Sequence, residues 1–131
     1  MFPLRLLAAI LLTSAAVFAA EVKSIPAKEA AQLVADGKAV LVDVREAPEW
    51  KASGVAAPAV LLAKSDFDGE QKQWKPFLAK VGDRQILVYC HSGGRSREVA
   101  AALAAKGLNV ANVGRLRDWN NAGLPVRQVQ D

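Results

Sequence analysis

Short β-branched runs alternate with alanine-rich stretches of helical period along most of this chain, and that alternation constrains the fold more than any other feature. Strands separated by helices return parallel to one another, so the expected architecture is an α/β domain with a mostly parallel sheet. Pro26 opens the first helix, Ala30, Leu33 and Val34 repeat at helical spacing, and Asp36-Gly37 ends it. Ala39 to Val44 reads as a buried strand and Ala59 to Leu62 as a second. An acidic turn should follow, then a helix from about Gly69 to Lys80 with Trp74, Phe77 and Leu78 on one face. Pro76 lies inside it and predicts a kink or a break into two short helices. The strongest strand is Gln85 to Tyr89, entered through Gly82-Asp83. A helix from about Ser96 to Lys106, a strand at Asn109 to Val113 and a short helix at Arg115 to Asn121 complete the pattern.

The first residues stand apart. Met1 to Arg5 followed by the apolar run Leu6 to Ala20 has the layout of a secretory signal peptide, residues 1–19, with cleavage expected after Ala19 or, as the second choice, after Ala20. The rival reading is an uncleaved anchor, whose apolar run of about 15 residues is short against the ~20 needed to cross a bilayer. The remainder, about residues 24–128, has the length of a single domain. Export implies a periplasmic location in a Gram-negative bacterium and secretion otherwise, with no stable membrane association after cleavage.

Removing the leader takes away Arg5 and no acid, so the formal charge of +4 becomes +3. Lysines and arginines are scattered among acids, which excludes the basic block of a nucleic-acid or acidic-lipid binder and suits a small anionic substrate. The chain has one cysteine, Cys90, and so makes no internal disulfide even in an oxidising compartment. It also has one histidine, His91, which rules out a Cys-His pair with an imidazole brought from elsewhere. No cysteine or histidine spacing suggests a metal, and Asp66, Asp68 and Glu70 read as a solvated turn with a helix cap.

Cys90-His91-Ser92-Gly93-Gly94-Arg95-Ser96 lies between a buried strand and a helix, at the carboxyl edge of the sheet. Adjacent glycines let the backbone turn its N–H groups inward as an anion-binding nest, and the following helix aims its positive end at the same point. Cys90 is therefore the expected nucleophile, open to solvent, with its thiol pKa below the free value of roughly 8.5. His91, Ser92, Gly93, Gly94, Arg95 and Ser96 form the expected substrate cradle, with Arg95 facing the substrate, Arg97 either joining it or lying on the solvent side of the helix, and no cofactor required. Asp43 and Arg45 end a buried strand near the rim and are expected in an internal ion pair with Glu46 or Glu49. Trp50, Trp74 and Trp119 are expected in the core or in a pocket wall.

A strand, a cysteine, a six-residue loop ending in arginine and then a helix resemble the active-site loop of the rhodanese family. Asp43-Val44-Arg45-Glu46 with Glu49-Trp50 is similar to that family's early segment, and Gly114, Trp119 and Gly123-Leu124-Pro125-Val126 to its ending. The matches span about residues 24 to 126. Two places depart: Ser53-Gly54-Val55 stands where Gly-His-Ile is usual, and Arg115 where a second glycine is common. The resemblance implies a central sheet flanked by helices on both faces, and a sulfurtransferase that carries sulfur as a persulfide on Cys90 between a donor such as thiosulfate and a thiophilic acceptor. Its partners would be a small anionic sulfur compound or a persulfide-bearing protein. Two alternatives share these residues: a sulfur carrier or redox sensor serving a partner protein, and a cysteine phosphatase. Phosphatase loops have five residues between cysteine and arginine, a position held here by Ser96.

Overall fold

Parallel pairing joins five strands in the order Lys23–Ser24, Val110–Arg115, Gln85–Cys90, Ala39–Asp43 and Val60–Leu61 among the described residues, 21–131 of the computed structural model. The expected signal peptide lies outside them. In chain order the elements are β1 (Lys23–Ser24), α1 (Ala27–Ala35), β2 (Ala39–Asp43), α2 (Ala47–Ser53), β3 (Val55–Ala56), β4 (Val60–Leu61) and α3 (Lys64–Asp68). They continue with α4 (Trp74–Lys80), β5 (Gln85–Cys90), α5 (Gly94–Ala105), β6 (Val110–Arg115), α6 (Leu116–Asn121) and β7 (Val126–Arg127). β3 and β7 form a separate antiparallel pair.

β5 is central, and its side chains divide the core in two. Leu87 and Tyr89 pack with Ala27 and Ala30 of α1 and with Leu116 and Trp119 of α6. Ile86, Val88 and Cys90 pack with Trp74 of α4 and with Val99 and Leu103 of α5. Both faces of the strand are covered, which is why its sequence is apolar throughout rather than alternating. The expectation of helices on both faces is met.

Several boundaries differ from expectation for local reasons. The acidic turn is a helix, α3, and the helix expected from Gly69 begins only at Trp74. Asp66 sets that start, its carboxylate accepting the amides of Lys72 at 2.8 Å, Gln73 at 3.0 Å and Trp74 at 3.1 Å. Pro76 then falls in the first turn of α4, where no intrahelical donor is needed, so neither the kink nor the break into two helices forms at it. Trp74 is buried edge-on to Phe67 and Phe77. α5 starts at Gly94, two residues before the expected Ser96, and Arg115 ends β6 rather than opening α6.

Helix α2 was not anticipated. It buries no residue, so it carries no amphipathic signal. Its start is stabilised by Pro48 in the first turn and by Glu49, whose carboxylate accepts the Glu46 amide at 3.2 Å.

Candidate active site

β5 delivers Cys90 to the carboxyl edge of the sheet, and the chain turns at once into α5. Gly93 makes the turn with φ of 91°, a left-handed conformation that strains any residue with a Cβ. This aims its amide at the sulfur: Cys90 Sγ accepts the Gly93 N–H at 3.0 Å and the Ser96 N–H at 3.5 Å. The Gly93 carbonyl points the other way and accepts Ser96 Oγ at 3.1 Å and Asn112 Nδ2 at 3.5 Å. Asn112 of β6, which the sequence reading missed, braces the turn further by accepting the Gly114 amide at 3.1 Å through Oδ1.

Burial pushes the Cys90 thiol up, but donors outweigh it: the Ser96 hydroxyl and amide, then the amides of Gly93 and Ser92, hold it below its ordinary value. The Ser96 hydroxyl has one proton and two acceptors in reach, the Gly93 carbonyl and the sulfur.

One expectation is corrected. Cys90 is not open to solvent; its exposure is 0%. It continues the β5 face that carries Ile86 and Val88, so its side chain points into the α5 cluster, with the loop folded over it. His91, Ser92 and Gly94 of that loop are exposed, while Gly93 and Ser96 are buried.

Arg95 is corrected as well. Rather than standing free for a substrate anion, its guanidinium forms a two-point bridge to Glu49 of α2, Nη1 to Oε1 at 2.6 Å and Nη2 to Oε2 at 2.8 Å. The Arg95 guanidinium holds the Glu49 carboxyl down at about 2, and Glu49 in turn raises Arg95. Arg97 is exposed on α5.

Glu49 is in reach because α2 is pinned from below. Arg45 pairs with Asp43 rather than with Glu46 or Glu49, donating through Nε at 3.1 Å and Nη2 at 2.9 Å, both side chains almost wholly buried. It also donates through Nη1 to Ser53 Oγ at 2.8 Å and through Nη2 to the Gly54 carbonyl at 2.8 Å, at the far end of α2. Asp43 also accepts Trp50 Nε1 at 3.0 Å. Half-buried Trp50 thus belongs to this network, whereas Trp74 and Trp119 are core residues.

Two clefts flank His91. One, of about 260 Å³, is lined by Arg45, Glu49, Ala52, Ser53 and His91. The other, of about 200 Å³, is lined by His91, Ser92, Arg115 and Arg117. Among the described residues, no group of three or more His, Cys, Asp or Glu could hold a metal ion, and no helix is long and apolar enough to cross a membrane.

A buried strand, a lone cysteine under inward-facing amides and a following helix are the arrangement the rhodanese resemblance implied. The model of the rhodanese-like domain matches residues 26–122. The chain belongs to the rhodanese-like domain family. Over 90 residues it is 38% identical to the thiosulfate sulfurtransferase GlpE of Actinobacillus succinogenes, covering 67% of this chain and 75% of that protein. A rhodanese-related protein of Thermoplasma volcanium superposes with a TM-score of 0.66 at 25% identity, over 82% of this chain and 99% of the other. The polysulfide-sulfur transferase homodimer of Wolinella succinogenes has the same fold, with a TM-score of 0.66 at 23% identity over 86% of this chain and 82% of that one. Within this rhodanese-like domain the departure at Arg115 has a visible consequence: its side chain leaves the end of β6 to pair with Asp118 of α6, Nε to Oδ2 at 3.0 Å and Nη2 to Oδ1 at 2.9 Å.

Proposed function

We propose that this rhodanese-type sulfurtransferase takes a sulfane sulfur from a donor such as thiosulfate onto Cys90 and passes it to a thiophilic acceptor. The Cys90 thiolate attacks the outer sulfur of thiosulfate, the S–S bond breaks, and sulfite leaves with the electron pair, so that a persulfide anion remains on the enzyme. The observation that carries the reading is the convergence of the Gly93 and Ser96 amides on the one sulfur of the chain. The same donors suit the persulfide, which is also an anion. The cradle consists of Ser92, Gly93, Gly94 and Ser96, with exposed His91 at its mouth. Arg95 has the role of a positioning residue, tying the loop to α2 through Glu49.

Steady-state kinetics with thiosulfate and cyanide should be ping-pong, and intact mass after thiosulfate alone should rise by one sulfur atom. Cys90→Ala should abolish both; a variant that still turns over sinks the scheme.

The concealment of Cys90 favours a second reading, a sulfur carrier for a protein partner, since a covered persulfide is shielded from free thiols. A persulfide that survives excess small thiols but discharges to a protein acceptor would select it. Export belongs to the same proposal and rests on the leader-like residues 1–19. The N-terminal sequence of the protein isolated from its host tests it, with Ala20 or Glu21 expected first.

A further inference from the structure

The arginine expected to receive a substrate anion is already occupied, because Glu49 neutralises Arg95 at two points. The cleft on that side of His91 is lined by Arg45, whose guanidinium is paired with Asp43, and by Glu49, the carboxylate that holds Arg95, so it offers an anion no free cation. The cleft on the other side differs in charge. It is lined by Arg115, Arg117, His91 and Ser92 and by no acid. Arg115 is the register partner of Cys90 across the β5–β6 pair, so this cleft opens beside the sulfur-bearing strand end. Arg115 is oriented by Asp118 and leaves the cleft by that pairing with little net charge of its own. Arg117 is exposed and has no ion-pair partner among the described residues.

We propose that the Arg115–Arg117 cleft binds the anionic tail of a low-molecular-weight thiol acceptor, holding its thiolate toward the Cys90 persulfide. This rests on the sulfur-transfer reading above and names the acceptor class. The acceptor thiolate attacks the outer sulfur of the persulfide, the bond to Cys90 Sγ breaks, and Sγ leaves as thiolate with the electron pair. The new persulfide departs on the acceptor, whose thiol sulfur is oxidised as Cys90 Sγ is reduced to the thiolate, and the outer sulfur keeps any proton it carried. About 200 Å³ is room for a carboxylate on a short chain, not for a large group. Ser92 and His91, exposed in the wall shared with the catalytic loop, supply further polar contacts.

The test compares two acceptors that differ in charge, 3-mercaptopropionate and 2-mercaptoethanol, with thiosulfate as donor and sulfite release as the readout. In wild type, Arg117→Gln and Arg117→Glu, the quantity read is the ratio of kcat/KM for the anionic thiol to that for the neutral one. Intrinsic differences between the thiols cancel when this ratio is compared between variants. The ratio should fall about three- to five-fold in Arg117→Gln, as expected for one exposed charge pair, and further in Arg117→Glu. Added salt should reduce the wild-type ratio toward that of Arg117→Gln. Equal ratios in all three proteins would overturn the proposal, as would a change confined to KM for thiosulfate, which would assign the cleft to the donor. A wild type that gains no sulfur from thiosulfate would instead overturn the sulfur-transfer reading, and the subsite with it. Arg117 is exposed and forms no ion pair among the described residues, so its variants should melt as wild type does.

Discussion

At the residue scale the chemistry depends on how a covered sulfur is kept anionic. Burial alone would raise the Cys90 pKa, and the Ser96, Gly93 and Ser92 donors reverse that. Alkylation of Cys90 followed against pH should therefore show a midpoint below the roughly 8.5 of free cysteine. Ser96→Ala removes one donor and should move that midpoint upward; an unmoved midpoint would mean that the hydroxyl serves only the Gly93 carbonyl. The Glu49 carboxyl is a different titration. Its folded pKa of about 2 lies below its ordinary 4.5, so the bridge to Arg95 contributes fully above about 4.5 and is lost as pH falls through about 2. A loss of activity on moderate acidification therefore does not report release of the arginine. The cysteine, the glycine pair and Ser96 were legible in the sequence because they are neighbours in it. The Glu49–Arg95 bridge was not, since its partners are 46 positions apart and no local pattern announces them.

At the element scale, α2 shows how a helix without an apolar face is kept in place. Arg45 grips it through Ser53 and Gly54 while Asp43 balances the buried charge. Arg45→Met would leave Asp43 buried and uncompensated, a loss of about 3–5 kcal/mol that denaturant unfolding should register. It should also free the Glu49–Arg95 bridge to wander, lowering turnover in the protein that remains folded. The start of α5 depends on backbone instead. A Cβ on Gly93 would meet Gly114 only at 3.8 Å, so Gly93→Ala is opposed by its φ and not by a clash. It should destabilise by about 1–2 kcal/mol, and relaxation of the turn should weaken the amide contact and raise the alkylation midpoint. The long apolar strands β2 and β5 could be read from composition. The two-residue strands β1, β3 and β7 could not, because so few residues carry no periodicity.

At the scale of the whole molecule, two apolar layers are held apart by one sheet, and Trp74 anchors the layer that contains Cys90. Trp74→Ala should lower stability by about 3–5 kcal/mol in denaturant unfolding, the range for deleting a buried aromatic. The layering followed from the strand–helix alternation, but the depth of the sulfur did not, because a strand covered on both sides gives no contrast between its two sets of side chains. That indifference has a sequel. Side chains of β5 take turns between the two layers, so loss of a single residue upstream of Tyr89 within the strand would send the sulfur toward Trp119 and away from α5, with every atom of the thiol intact and none of its donors in reach. Parity along one six-residue segment thus selects the hemisphere in which this enzyme can be reactive.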